Sequence, residues 1–516
     1  MKRTILSIIS LVLIVVLLGG CLAGCQKKEE TPKALAAQPA IEDPGNPVTY
    51  KVSGAISSNM VLQQNKYIHI WGFSDNIGAY MYGEFMGEKR YAQVDENGVW
   101  DIEFSAHPYT TEPQTLKVYP KNGEETVFED ILVGDVWIVA GQSNAELRVM
   151  YTVDYSTETV AEISENDNIR LYFQNHDAIM YGSDTIDLAV PQKDVIDPTY
   201  HWAKSTKEDV YNFSAIGYYF AKEISRNTDV PLGLINTAVG GQPLRQFISN
   251  ELYEELNGAE VFGEGASHSR VFNAFTYPFL RMPIRGMLFY QGESDNWTTD
   301  GWDPEMYSDH FEEFAKEQRE LYGYDFPILN VQLSSHPGTD WDGIYEIRCE
   351  QVELLSKVDN YYVVTSFDKG WMDAYGVDVA HPQNKEPIGK RLAAIALAEI
   401  YGEGKLKNNG CPVPVSAEWK DDSVVIKFEN VGSGLTTIND DTLQGFFLLD
   451  EEEVVLSMTK AEITGKDEVT VALKDKLADR TASVGYAVDD VANPDYNNLI
   501  NSEDMPAVSF KFEKAK

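Results

Sequence analysis

Between residues 131 and 405, apolar runs alternate with amphipathic segments, and this pattern restricts the fold more than any other feature of the chain. The runs 131–140, 232–238, 287–290, 328–333 and 361–366 are rich in Val, Ile, Leu, Phe and Tyr. A strand covered on both faces reads as a near-continuous apolar run, whereas one with a wet face alternates. The segments 215–226 and 386–401 instead carry apolar residues at helical spacing. Strands alternating with helices form a parallel sheet with helices packed on it, so an α/β domain is expected here. In such sheets sites form outside the carboxyl ends of the strands, and the loops that follow the runs are the places to look for chemistry.

The remaining residues are too many for one core, since the chain has 516. Residues 49–130 read as β, with runs at 67–73, 99–104 and 115–119 separated by Gly, Asn and Pro. Residues 406–516 read as a second β domain, with runs at 424–428, 445–449, 469–473 and 507–512. No internal repeat relates the two. Residues 26–48 are polar and aperiodic and are expected to be a flexible linker. Residues 1–25 read as a targeting segment: Lys2 and Arg3, no charge from Thr4 to Gln26, a strongly apolar stretch, then Leu22-Ala23-Gly24-Cys25. Small residues before a cysteine resemble the bacterial lipobox, so Cys25 is the expected lipidation site and Cys21 its weaker rival. A plain transmembrane anchor is the alternative, although the apolar stretch is near the lower limit for spanning. Either reading holds the rest of the chain at a membrane, outside the cytoplasm.

A formal net charge of −39 repels phosphate backbones and argues against nucleic-acid binding. Beyond the leader only Cys349 and Cys411 remain, expected as free core cysteines and too few for a cysteine-rich metal site.

Four motifs fall where the sheet would place a site. The run 136–140 leads into Gly141-Gln142-Ser143-Asn144, putting a serine at a strand tip, where a backbone N–H can face a developing oxyanion. Taken alone, such a serine is more often a cap or turn residue. Gly240-Gly241 follows the run 232–238 and would let backbone N–H groups approach a substrate. Tyr290-Gln291-Gly292-Glu293-Ser294-Asp295 follows the run 287–290; Gln291 could donate a side-chain N–H, and Glu293 with Asp295 could form a carboxylate pair instead. Asp378-Val379-Ala380-His381-Pro382 offers a base with an acid three residues earlier. His107 and His336 also precede proline, but Phe104 and Leu333 stand at the equivalent position.

Together these blocks resemble those of the SGNH hydrolases, and most closely the sialate O-acetylesterase branch. Ser58-Asn59-Met60-Val61-Leu62-Gln63, Trp71-Gly72, the stretch from Phe428 to Leu435 and Leu443-Gln444-Gly445-Phe446 extend the resemblance over nearly all of the mature chain. It implies a flavodoxin-like three-layer core flanked by β-sandwich-like N-terminal and C-terminal domains. It implies Ser143 as nucleophile, His381 as base and Asp378 as its orienter. The oxyanion hole would be formed by Ser143, Gly240 or Gly241, and Gln291. No metal or cofactor is implied. The expected substrate is an acetylated carbohydrate, O-acetylated sialic acid first and acetylxylan second. A non-catalytic carbohydrate-binding lipoprotein is the reading from another class. Gln242-Pro243-Leu244-Arg245-Gln246-Phe247 departs from the branch's usual residues after Gly-Gly, and Ala145 stands where Met is common, so the pocket is less defined than the chemistry. Arg245, then Arg148, are candidates to read a substrate carboxylate, and Glu293 a further substrate contact. Oligomeric state is not legible.

Overall fold

A computed structural model describes residues 32–514 apart from 153–164, 175, 177–178, 181, 183–184, 198, 264, 297–301, 336–342, 370–380, 403–409, 453–454, 474–478 and 489–495. The protein is mixed α/β with large sheets. Its axis is one long strand, Thr126–Gly141. The first part of this strand alternates between exposed and covered residues, and the second part is buried throughout. The change of pattern marks a change of partner. The first part pairs antiparallel with Thr110–Pro120, in the N-terminal β region. The second lies between the parallel strands Leu232–Asn236 and Gly286–Tyr290. The position 130/131, read as a domain boundary, therefore falls inside a continuous strand, and the N-terminal β region shares one hydrophobic core with the sheet.

Ile328–Gln332 and Tyr361–Thr365 continue the sheet in parallel on one side. On the other side lie Asn166–Tyr172 and Trp202–Ser205, the latter antiparallel at the edge. These two strands were not expected from the sequence. Asn166–Tyr172 opens on polar residues, and Trp202–Ser205 is only four residues long. Register fixes the geometry of the site: Gly141 is level with Tyr290, Asn236 with Val139, and Gln332 with Thr365. The loops after the central strands therefore leave the sheet along one edge, as parallel topology requires.

The helix Ala215–Asn227 is capped by the Ser214 hydroxyl, which accepts from the Gly217 N–H. Its apolar face packs on the central strand, with Phe220 edge-on to Trp137 at 4.9 Å. Burying such an aromatic side chain contributes about 1.5–3 kcal/mol before entropy is counted. The helix Glu386–Ile395 packs against it closely. A Cβ on Gly389 would stand 2.6 Å from the Tyr219 Cβ, so glycine sets the approach. This second helix ends in a π-turn over Ala396–Ile400, within the segment expected to be helical.

Among its described residues, the C-terminal region forms two four-stranded antiparallel sheets and a two-stranded ribbon around a separate core. Phe367, just beyond Tyr361–Thr365, is buried in that core, and Gln332 exchanges two hydrogen bonds with the Ser509 backbone (2.8 and 2.9 Å). Cys349 and Cys411 are free, Cys411 buried. Residues 32–48, part of the stretch expected to be flexible, have no regular structure but are strapped to the N-terminal β region. Arg90 Nη1 donates to the Ala36 carbonyl at 2.8 Å, the Gln38 amide bonds both backbone groups of Tyr91, and Tyr82 Oη donates to Asp43 at 2.8 Å. Composition hid this because the bonds come from residues more than 38 positions along the chain. Cys25 and the leader lie outside the described residues.

Candidate active site

The turn that carries Ser143 starts at Gly141, whose φ of +124° suits glycine. A Cβ there would stand 2.1 Å from the Tyr290 carbonyl oxygen. The two chains are held together at this point by the Gln142 N–H, which donates to that carbonyl at 3.0 Å. The chain then turns into the short helix Ser143–Glu146. Ser143 is half-buried, with its Oγ 2.8 Å from His381 Nε2. The hydroxyl can donate to the ring nitrogen, which is the geometry general-base catalysis needs. His381 lies in the loop before Glu386–Ile395, 238 residues away in sequence. Asp378 lies outside the described residues, as does His336. His107 lies near Glu88 in the N-terminal β region.

Gly240 reaches the same place from the neighbouring strand. A Cβ on it would stand 3.5 Å from the Ser143 Cβ. Its N–H, however, donates to Glu146 Oε2 at 2.7 Å. This corrects the expectation of an open oxyanion donor at Gly240. Gly241, with φ +70° and open space around it, is the member of the pair left facing out. Glu146 also accepts from His176 Nδ1 at 2.8 Å. Burial raises the Glu146 carboxyl, but the His176 bond and charge, the Gly240 N–H and the charge of Arg148 outweigh it and hold the group below its ordinary range. Neither Glu146 nor His176 was singled out from sequence. The only local hint is an acid one helical turn after the serine.

Two further expectations are corrected. Gln291 is fully buried, and its amide donates to Asp295 Oδ2 and to the Gln242 carbonyl, while Tyr307 Oη donates to its Oε1 at 3.0 Å. Its donors are taken up by protein acceptors rather than left open. Glu293, expected at the substrate, is also buried and accepts from Asn144 Nδ2 at 2.6 Å. Asp295 turns elsewhere, accepting from the Leu244 N–H at 2.9 Å. Burial pushes Glu293 up to about 7 and Asp295 up to about 6. The two acids thus serve separate partners and do not form a solvent-facing carboxylate pair.

Arg245 donates from Nε to the Ser267 carbonyl at 3.2 Å, with its guanidinium 5.8 Å from the Phe262 ring centre. Arg148 is exposed, two residues past Glu146. Among the described residues no group of three or more His, Cys, Asp or Glu side chains is arranged to hold a metal.

A serine at the C-terminal edge of a parallel sheet, hydrogen-bonded to a histidine from a later loop, is the arrangement by which serine hydrolases are recognised. Residues 133–398 match the family described as carbohydrate esterase, sialic acid-specific acetylesterase. The match takes in more than half of the chain, and the protein belongs to this family. It is 27% identical over 314 residues to the sialate O-acetylesterase of Homo sapiens, covering 56% of this chain and 57% of that one. It is 25% identical over 343 residues to that of Mus musculus, covering 56% and 60%. The chain thus spans somewhat more than half the length of these relatives. In fold it is similar to the crystal structure of a carbohydrate acetylesterase from Xanthomonas citri, with a TM-score of 0.77, 24% identity, and 90% of this chain and 100% of that chain covered.

Proposed function

We propose that the protein is a serine esterase that removes O-acetyl groups from carbohydrates through an acetyl-enzyme. The observation that carries this reading is the 2.8 Å contact between Ser143 Oγ and His381 Nε2, in a chain of this family. Ser143 Oγ attacks the acetyl carbonyl carbon while His381 Nε2 takes its proton. The oxyanion is held by the N–H groups of Ser143 and Gly241. The intermediate collapses, the C–O bond to the sugar breaks, and the imidazolium returns the proton to the departing sugar oxygen. His381 then activates a water that releases acetate and restores Ser143. Asp378 holds the ring in the productive tautomer. The scaffold is read as the flavodoxin-like three-layer core of SGNH hydrolases with β-sandwich-like domains on either side.

O-acetylated sialic acid is the proposed substrate. Its carboxylate has to approach a strongly acidic protein, so a local cation is required. Arg148 is the better placed of the two candidates, because its charge acts on Glu146 beside Gly240, whereas Arg245 is committed to Ser267 and Phe262. In an acetate-release screen, Arg148→Ala should raise KM for O-acetylated sialic acid by about 10-fold and leave aryl acetates unchanged. Equal cleavage of acetylated xylan with no arginine dependence would favour the plant-polysaccharide reading. No acetate from any acetylated sugar would remove the esterase reading and leave a carbohydrate-binding protein.

The chain is further proposed to be an exported lipoprotein acylated at Cys25. Cys25→Ser should move the protein from the membrane fraction to the soluble one. Retention with serine at 25 would assign the attachment to Cys21 or to an uncleaved leader.

A further inference from the structure

Three loops meet at the nucleophile, and one buried string of side chains joins them. Lys385, four residues past His381 and immediately before the helix Glu386–Ile395, is fully buried and donates from Nζ to Asn144 Oδ1. Asn144, directly after Ser143 and 1% exposed, donates from Nδ2 to Glu293 Oε1 at 2.6 Å. Glu293 belongs to the turn Glu293–Asp295 that follows the strand Gly286–Tyr290. We propose that Lys385, Asn144 and Glu293 form a positioning brace, which holds the base loop, the nucleophile turn and the 291–295 turn in one register and so sets the distance between Ser143 and His381. The inference rests on the esterase reading above and adds residues that touch neither substrate nor the reacting atoms.

The chemistry of the string explains why it is directional. An amide has one acceptor end and one donor end. With an ammonium at the oxygen and a carboxylate at the nitrogen, only one orientation of the Asn144 amide is favourable. A flip would set N–H against N–H and oxygen against oxygen. Because Asn144 shares its turn with Ser143, fixing its side chain fixes that turn. Glu293 Oε2 is buried with no hydrogen-bond partner among the described residues, so the carboxyl's charge is compensated through the Asn144 amide, by the residue's own backbone N–H and by the field of Lys385. Among the described residues, the Tyr290 ring, 5.0 Å from Lys385 Nζ, Tyr307, and Asp295, whose charge acts on Glu293, also face the string. Burial moves both ends toward neutrality, Glu293 up to about 7 and Lys385 down to about 7. Two ionisable groups held dry in this way are costly, and a pair linked through the side chain of the residue after Ser143 has a ready purpose in alignment.

The test compares Lys385→Met, Glu293→Gln and the double variant with wild type. Three readouts are taken well below each melting temperature: kcat and KM on an aryl acetate, the rate of Ser143 labelling by a fluorophosphonate, and thermal unfolding. Displacement of a catalytic group by about 1 Å can cost roughly 100-fold. Each single variant should therefore lose roughly 10–100-fold in kcat and in labelling rate, with KM within about two-fold of wild type. The double variant should be no slower than the worse single one, because one brace is being broken twice. The double variant also leaves no lone buried charge, so it keeps the test open if a single variant is too unstable to assay. Folded variants that label and turn over at the wild-type rate would overturn the brace alone. A wild-type protein inert to the probe would overturn the esterase reading and the brace with it.

Discussion

Replacing Ser143 by alanine should lower kcat on an aryl acetate by roughly 10³-fold or more while KM changes little. The hydroxyl is the only atom removed, and the turn around it is held by groups that remain: Gly141, the Gln142 N–H on Tyr290, and Asn144 between Glu293 and Lys385. Unfolding should therefore be nearly unchanged. His381→Ala should cost about as much, and the pair of substitutions should cost no more than the worse single one, because a serine nucleophile and its base act as a unit. Steady-state kinetics with stopped acetate release checks all three. A Ser143→Ala protein that keeps most of its activity would assign the chemistry to another group.

The largest stability effect is expected at Arg391. Its guanidinium makes two 2.7 Å bonds to Asp368, one to each carboxylate oxygen, and a third of 2.7 Å to the Thr365 carbonyl. Both side chains are nearly dry, at 6% and 8% exposure. Burial works against the Asp368 charge, but Arg391, helped by Lys369, wins and holds the carboxyl down at about 2. The pair ties the helix Glu386–Ile395, and with it the loop that carries His381, to the end of the strand Tyr361–Thr365. Arg391→Met removes one partner and leaves a buried carboxylate, which should cost about 3–5 kcal/mol at neutral pH in urea unfolding, less whatever Lys369 restores. The pH dependence follows from the sign of the shift. A carboxyl depressed in the folded state contributes stability that is present above its unfolded value, about 3.9, and is lost as pH falls toward 2. The gap between wild type and variant should therefore narrow as pH falls through the carboxylate range toward 2. A gap that stayed constant down to pH 2 would mean that the ion pair is not its source.

The sheet was legible because its central strands are buried on both faces and read as apolar runs, and because Gly141, Gly240 and Gln291 each follow such a run. Ser143 and His381 stood out as residue types in those loops. Side-chain direction did not. Glu293 follows a strand, as a substrate contact would, yet its orientation is set by Asn144, 149 residues away, and through it by Lys385. Gln291 is likewise held by distant partners, the Gln242 carbonyl and Tyr307 Oη, and Glu146 was hidden because its partners, His176 and Gly240, lie 30 and 94 residues on. A motif fixes which chemical groups are present; which of them are solvated is decided by contacts that no local spacing records. The strands Asn166–Tyr172 and Trp202–Ser205 were missed because the first opens on polar residues and the second is only four residues long, and the strap over 32–48 because single polar bonds rather than apolar periodicity hold it.

In the proposed mechanism Ser143 carries the acetyl group. Rapid acid quench of the wild-type protein during turnover of an aryl acetate, followed by peptide mass spectrometry, tests it directly. An acetyl adduct is expected on the peptide that contains Ser143, and is expected to be absent in Ser143→Ala and in His381→Ala. Steady acetate release with no adduct on that peptide, or an adduct on another residue that survives in Ser143→Ala, would contradict it.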